Sequence, residues 1–382
     1  MKIALVCPHF PPKLCGVGDY SARLASELKK QGHNVAVWTT ASASSADVTV
    51  HTTPLPWNFS KLSRITKEIS DFRPCVVLVQ YTPQLYSPEW LGVYPTLPLW
   101  IAGLRKKTGA AIILNAHEVN YPVEASLRGL ALGIPQFTQF LGMASCADRV
   151  FFTYEHALKR ASRWLPWRQD KFSWASVGSN IEPKLNAGHA QKLRHEIGLS
   201  SDTKVLLHFG GAHPSRLFSH VFKAAQLIRD KYGHGNAALV FVGISSDKIK
   251  ASLTSAGYSD LASMAYGVGP LPSEKVSEWL QACDLVLAPF IDGVSTRRGS
   301  VMAAFEHGKA VVTTKEWSSQ GSVPWDQICA AVSARDEQTF AQAALSLLSS
   351  PERLQELGEN GRAYYEKSFS WPLIAKKMSA AL

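Results

Sequence analysis

The sequence predicts an α/β protein built from two doubly wound parallel-sheet domains facing a central cleft, and three observations carry that prediction. Its 382 residues exceed one ordinary core and suit two domains of about 150–200 residues each. Apolar runs of strand length alternate with stretches of helical periodicity. That alternation restarts past the middle of the chain, after an interrupted stretch between Asn180 and Leu199.

Taken in order, Ile3–Cys7 is an unbroken apolar run, as a strand buried on both faces requires. Asp19–Gln31 places Tyr20, Leu24, Ala25 and Leu28 on one helical face, Gly32 ends that helix, and Val35–Thr39 resumes as a strand. Val76–Gln80 and Ala111–Ala116 are strands on either side of a helical stretch, Leu97–Lys107. Arg149–Thr153 and Phe172–Val177 close the first half. The second half runs strand Val205–Phe209, helix Phe218–Lys231, strand Ala238–Val242, helix Ser273–Ala282 and strand Leu285–Pro289. Helices Glu337–Leu348 and Pro351–Ser368 follow. Pro183, Asn186 and Gly188 place the boundary at 185/186, giving domains 1–185 and 186–370. A break at Ser370–Pro372 sets off Trp371–Leu382, which is expected to cross back onto the first domain. Rossmann-like sheets of this kind bind ligands outside the carboxyl ends of their strands.

Composition narrows the function classes. Apolar residues make up 46% and charged residues 18%, an ordinary globular balance. The longest apolar runs, such as Ile3–Cys7 and Leu285–Phe290, fall well short of the roughly 20 residues that a bilayer span needs. The N-terminus shows no secretory pattern, so a cytoplasmic protein is expected. Forty Lys plus Arg against thirty Asp plus Glu leave a net charge of +10, which fits nucleic acid, an anionic membrane face or a phosphorylated small substrate. No zinc-finger, RNP-like or helix-turn-helix pattern accompanies it, so no nucleic-acid partner is expected. The six cysteines show neither zinc nor disulfide spacing and read as reduced. The basic-aromatic run Lys159–Arg168 could rest on the inner face of a membrane as a peripheral contact, or serve as amphipathic packing. Monomer and homodimer both remain open.

Four strand-end loops carry chemistry. Pro8–Gly18 ends Cys15-Gly16-Val17-Gly18-Asp19, where Gly16 and Gly18 suit an anion or a sugar hydroxyl, or a turn that needs φ > 0. The third glycine of a dinucleotide fingerprint is replaced by Ser21, and no acid follows Val37-Trp38-Thr39-Thr40, so NAD is not expected. Asn115-Ala116-His117-Glu118 sets a His beside a Glu, able to orient a sugar hydroxyl or shuttle a proton, or simply structural. His208–Arg216 ends in Arg216, a guanidinium able to clamp a diphosphate or to sit solvated. Pro289–Thr314 joins a strand end, the turn from Asp292 through Ser295, Thr296, Arg297, Arg298, Gly299 and Ser300, and a short helix closed by Gly308. With Ser295 or Thr296 as N-cap, both arginines fall in the first helical turn, where the macrodipole disfavours a cation by roughly 0.3–1 kcal/mol. A bound diphosphate would offset that cost.

These loops, in this order, resemble the GT-B retaining glycosyltransferases of family 4 over nearly the whole chain. The resemblance rests on Gly16–Gly18 with Gly32-His33-Asn34-Val35, on His117-Glu118, and on Gly178-Ser179-Asn180. It continues through Phe209–Arg216, Tyr266-Gly267-Val268, Ala282-Cys283-Asp284-Leu285, Gly308-Lys309-Ala310-Val311-Val312 and Phe369-Ser370-Trp371. It implies the GT-B fold and transfer from a nucleotide sugar with retention of anomeric configuration. No metal and no cofactor beyond the donor is implied. Arg216 would neutralise the leaving diphosphate, and His117 would contact the donor sugar, its carbonyl near the oxocarbenium-like transition state. The glycine loop would close on the donor phosphate or shape the acceptor site, and Tyr266, Gly267 and Val268 would hold the base through their backbone.

The chain departs from the family at the usual Glu-x7-Glu, whose positions fall on Ser295 and Ala303, and at the arginine five residues before Arg216, which is Gly211. Arg297 and Arg298 are additional, as in a divergent subset marked Gly-Val-Ser-x-Arg-Arg. Either is expected to bind the diphosphate, with Asp292 or Glu306 replacing a lost carboxylate. A sugar, lipid-linked or small-molecule acceptor is expected in the first domain, at Gln80–Tyr86 and Val119–Gly133, with Gln80, Tyr81 and Glu118 as contacts. Two other readings stay open: a nucleotide-sugar 2-epimerase, for which His117, Glu118 and His213 barely supply the proton-transfer groups, and a catalytically silent nucleotide-sugar-binding protein.

Overall fold

The computed structural model describes residues 1–40, 47–86, 92–120, 127–184 and 188–380. The chain forms two compact units, Met1–Val177 with Trp371–Leu382, and Gly178–Ser370. The expected boundary at 185/186 lies outside the described residues; the units divide after Val177.

The first unit runs β1 (Lys2–Val6), α1 (Gly16–Lys30), β2 (Asn34–Thr39), β3 (Thr49–Thr52), α2 (Phe59–Phe72), β4 (Val76–Tyr81), α3 (Pro83–Tyr86), α4 (Leu97–Thr108) and β5 (Ala111–Ala116). It continues with α5 (Leu127–Cys146), β6 (Arg149–Phe152), α6 (Glu155–Trp164), a 3-10 turn at Pro166–Lys171 and β7 (Phe172–Trp174). Its seven strands are all parallel in the order β3-β2-β1-β4-β5-β6-β7. β4 is buried at every position, which is why Val76–Val79 reads as a continuous apolar run rather than an alternating one.

The second unit runs α7 (His189–Glu196), β8 (Lys204–Phe209), α8 (Phe218–Tyr232), β9 (Ala237–Val242), α9 (Ser246–Ser255), β10 (Ala265–Gly269), α10 (Ser273–Ala282) and β11 (Leu285–Ala288). Then come α11 (Gly299–Glu306), β12 (Val311–Thr314), α12 (Trp325–Ile328), β13 (Ala330–Val332), α13 (Glu337–Leu348) and α14 (Pro351–Ser368). Six parallel strands lie in the order β10-β9-β8-β11-β12-β13. Leu206, Phe222, Ile228, Phe241 and Leu285 form the centre of the core, and Phe340, Ala344 and Leu348 of α13 close it. The last helix, α15 (Trp371–Ser379), belongs to the first unit. There Trp371 meets the Tyr20 ring at 5.0 Å, and the Tyr20 hydroxyl reaches the Met378 sulfur at 3.6 Å.

Several elements differ from their sequence expectation. α1 begins at Gly16 instead of Asp19, so the two glycines lie inside its first turn. Gly18 is there because of contact: a Cβ would stand 3.0 Å from the His9 carbonyl oxygen. α5 has no counterpart in the sequence reading, since Pro135 and its glycines break the helical pattern. One of those glycines, Gly142, lets α5 press onto Pro98 of α4, with a Cβ position 3.1 Å from that ring. No helix among the described residues is long and apolar enough to cross a membrane.

Glycine also sets how α14 packs. A Cβ on Gly358 would collide with the Gly308 carbonyl oxygen and stand 3.1 Å from its carbon. Gly358→Ala is therefore expected to cost about 1–3 kcal/mol through overpacking. Gly103→Ala in α4, where nothing lies within 4 Å, is expected to gain about 0.5–1 kcal/mol. Thermal unfolding of both full-length variants checks this; equal midpoints would contradict it.

Candidate functional site

In the second sheet the strand order reverses between β8 and β11, the place where an open parallel sheet leaves a crevice. The loops that follow those two strands are stitched together there. Arg216 and Phe290 form an isolated antiparallel bridge, and the Ile291 N–H donates to the Ser215 carbonyl at 2.8 Å. This brings Arg216, Asp292, Arg297, Arg298 and Ser300 into one cluster.

Arg216 is held by neutral groups. His208, wholly buried near the end of β8, lies 2.9 Å from the Leu287 carbonyl through Nδ1. A carbonyl only accepts, so Nδ1 carries the proton and Nε2 keeps a lone pair. That lone pair faces Arg216 Nη1 at 3.3 Å. Burial, with the Arg216 charge behind it, lowers the His208 pKa to about 3. Gly210, at φ +126°, leaves the space that the guanidinium fills, since a Cβ there would stand 2.8 Å from Arg216 Cζ. Nη2 comes within 3.5 Å of Ser300 Oγ near the start of α11. Arg216 makes no ion pair among the described residues. Burial and the neighbouring Arg298 charge lower its pKa to about 10, so it remains a cation at neutral pH.

Arg298 lies over the Phe290 ring at 4.1 Å and Arg216 approaches the same ring at 5.2 Å. Asp292, 6% exposed, pairs with Arg297 through Oδ2 and with Arg298 through Oδ1. Arg298 also reaches Ser215 Oγ at 3.4 Å. The arginines are not in the first helical turn. An Arg298 N–H to Ser295 carbonyl bond of 3.1 Å closes a turn, and α11 starts after it at Gly299 with Arg298 at the N-cap position. Ser295 and Thr296 are buried and neither caps the helix. Ser295 Oγ has no hydrogen-bond partner among the described residues, and Ala303 faces the core. Asp292 is thus committed to two guanidiniums. Glu306 lies at the far end of α11, roughly 12 Å along the helix from Arg298.

Gly211 is exposed, directly beyond the Gly210 space. Tyr266, Gly267 and Val268 lie on the edge strand β10. Ser246 Oγ bonds both the N–H and the carbonyl of Gly267, at 3.2 and 3.1 Å. Val268 is bulged out between Gly267 and Gly269, which frees its backbone from the ladder with β9.

In the first unit, His117 follows β5 and its Nε2 meets Gln80 Oε1 at 2.8 Å. The amide oxygen accepts, so Nε2 carries the proton and Nδ1 is left as an acceptor with no partner among the described residues. Burial lowers the His117 pKa to about 3. Its ring meets Tyr20 edge-on at 4.7 Å, and its carbonyl accepts from Thr153 Oγ1 at 3.1 Å. Gln80 Oε1 also accepts from Asn115 Nδ2 at 2.9 Å, while Gln80 Nε2 and Asn115 Oδ1 have no partner among the described residues. Tyr81 is a core residue whose hydroxyl is taken by Gln139 at 3.2 Å, so it offers no surface to an acceptor. Glu118 is exposed, with Thr82 Oγ1 at 3.5 Å from its carboxylate. Gly16 and Gly18 lie in the first turn of α1, beside Asp19, whose pKa burial raises to about 6. Of the expected acceptor stretch 119–133, residues 121–126 lie outside the described residues.

The sequence reading missed His208, Ser215 and Phe290 as site residues. Only His208 left a signal: a polar residue inside the apolar run Val205–Phe209, which a buried strand tolerates only when it is hydrogen-bonded.

His117 and His208 both have folded pKa values depressed from 6.5 to about 3. As pH falls, the unfolded chain takes up these protons first, so the stability they contribute is complete above about pH 6.5 and drains away toward pH 3. The unfolding midpoint is expected to drop between pH 7 and pH 4, less steeply in His208→Gln. An unchanged slope in that variant would contradict the assignment.

Residues 203–350 match the family described as "Glycosyl transferases group 1". A D-inositol 3-phosphate glycosyltransferase 2 of Catenulispora acidiphila is 22% identical over 408 residues, covering 98% of this chain and 92% of that protein. The crystal structure of Anabaena Alr3699/HepE in complex with UDP and glucose superposes with a TM-score of 0.73 at 14% identity, covering 100% of this chain and 98% of that one. Sucrose-phosphate synthase from Thermosynechococcus elongatus gives a TM-score of 0.74 at 17% identity, with 100% and 98% covered. Residues 203–350 thus match the group 1 glycosyl transferases, and the whole chain shares the GT-B fold of these solved structures.

Proposed function

We propose that this protein is a glycosyltransferase that moves a sugar from a uridine diphosphate donor to an acceptor, with retention of anomeric configuration and without a metal ion. The observation that carries the reading is Arg216: a largely buried guanidinium with only neutral partners, placed beside Arg298 at the switch point of the second sheet. A charge so placed is costly unless an anion completes the site. A departing diphosphate gains negative charge as the glycosidic bond breaks, and guanidiniums fixed in advance stabilise that charge more than the ground state. Uridine is favoured because the superposable Anabaena protein holds UDP.

In this reading Arg216 and Arg298 clamp the diphosphate at the start of α11, where Gly299 and Ser300 add backbone donors. Arg297 anchors Asp292 and keeps Arg298 in place. The bulged Val268 backbone takes the base. His117, neutral and with Nδ1 as acceptor, binds a sugar hydroxyl. Ser295 and Ala303 stand where the family's carboxylates would be, so sugar preference rests on fewer charged contacts.

Two measurements test this. The chain is expected to hydrolyse a UDP-sugar slowly without acceptor, releasing the α-anomer first as seen by proton NMR, and to do so in EDTA. An isomerised donor would make it an epimerase, and binding without turnover would leave only a binding protein. By calorimetry, Arg216→Ala and Arg298→Ala should each weaken UDP binding at least about tenfold, the loss of one charge-assisted contact worth roughly 1.5–3 kcal/mol. Unchanged affinity in both would sink the diphosphate assignment.

A further inference from the structure

The first unit leaves a large share of its exposed apolar surface on one layer of helices. α2 packs on α4 and α4 on α5, and the Trp164 ring at the end of α6 meets Phe137 of α5 at 5.6 Å. On this layer Phe59, the first residue of α2, is 82% exposed, Leu99 of α4 is 73% exposed, and Leu127 of α5 is 89% exposed. Leu130 and Ile134 continue the α5 face at spacings of three and four, and Trp164 and Trp167 extend it. Seven of the twelve large hydrophobic side chains exposed among the described residues lie here. Isolated exposed apolar residues need no explanation, but a clustered set marks an interaction surface.

Charge says what the surface meets. α4, α6 and the 3-10 turn carry eight Lys or Arg against two acids, Glu155 and Asp170, and α5 carries no acid. That excess is more than half of the chain's net +10. Lys106 follows Leu99 by seven residues and so lies on the same helical face. Lys106, Lys107 and Arg163 make no ion pair among the described residues. Between α2 and α4 runs an apolar groove of about 290 Å³, lined by Phe59, Leu62, Thr66, Leu99, Trp100 and Leu104.

We propose that this helical layer docks on an anionic lipid bilayer, with Phe59, Leu99, Leu127 and Trp164 entering the headgroup boundary. Lys106, Lys107 and Arg163 would pair with lipid phosphates, and the α2–α4 groove would take one acyl chain. Large apolar side chains beside unpaired cations are what an interfacial surface requires, and no spanning helix is needed. The N-termini of α2, α4 and α5 share an edge of the sheet with the strand ends that carry Gln80 and His117. The surface therefore brings a membrane-embedded acceptor to the end of the first unit where those residues lie. That last step rests on the transfer reading above; the docking itself does not.

Sedimentation of the full chain with vesicles of phosphatidylcholine, with and without phosphatidylglycerol, tests the docking. Binding is expected to be roughly tenfold or more tighter with the anionic lipid and to weaken with salt. Phe59→Ser with Leu99→Ser, and separately Trp164→Ala with Trp167→Ala, should each lose roughly tenfold. UDP binding by calorimetry should stay unchanged in both, showing that they fold. Equal binding to both vesicle types, no binding, or a dimer in light scattering that these variants abolish would overturn the proposal. Vesicle binding without donor turnover would sink the transfer reading alone, and donor turnover without vesicle binding would sink the docking alone.

Discussion

Everything in this molecule follows from strands that run one way. Each of the two sheets is wholly parallel, so the chain must return along the outside of the sheet after every strand. The carboxyl ends of the strands and the amino ends of the helices therefore collect on one edge. The reversal of strand order then opens that edge between β1 and β4 in one unit and between β8 and β11 in the other. Gln80 and His117 lie at the ends of β4 and β5; Arg216 and Arg298 follow β8 and β11. No residue of the candidate site needs a reason for its location beyond this.

What the location does not provide is a resting place for charge. The second unit supplies it by pairing each arginine with something other than a competing anion where it can. Arg216 leans on an imidazole whose proton is tied to Leu287, so the ring can accept and never compete as a cation. Phe290 offers its π face to two guanidiniums, which lowers the cost of bringing them together without neutralising either. Asp292 supplies a carboxylate, and it is spread over two arginines. On the proposed function, the arrangement sacrifices some stability for a site already shaped before its ligand arrives, the pattern expected where local structural rules are broken for function.

Much of this was legible in the sequence because burial on both faces writes itself as uninterrupted apolar runs. β1, β4, β8, β9 and β11 could be read directly, as could α1 and α8 from their spacing. α5 could not, because Pro135 and three glycines hide a helix that tertiary packing restores. Edge strands such as β3, Thr-Val-His-Thr, lack the double burial that makes the others visible. Of the candidate site, Arg216, Arg297, Arg298 and His117 could be named from the sequence by their position after strands. Their partners could not. The meeting of His208 with Leu287, or of Arg298 with Ser215, depends on how β8 and β11 lie side by side, and nothing within either segment encodes that. The helix start at Gly299 was misplaced for a related reason, since a single turn hydrogen bond from Arg298 to Ser295 decided it.

The placement of α15 has a consequence for how the chain is made. Trp371 and Met378 complete the packing around Tyr20 in a unit whose other residues end at Val177. During synthesis from the amino end, the first unit emerges with that side of α1 uncovered and stays so while the whole second unit is translated. Domains generally fold as units in the order in which they appear, and here the first to appear is the last to be finished. Its apolar groove around Tyr20 must remain soluble for the time it takes to add nearly two hundred residues. The polar face of α1 and the pairing of β1 with β2 and β4 are what the nascent chain has to rely on in that interval.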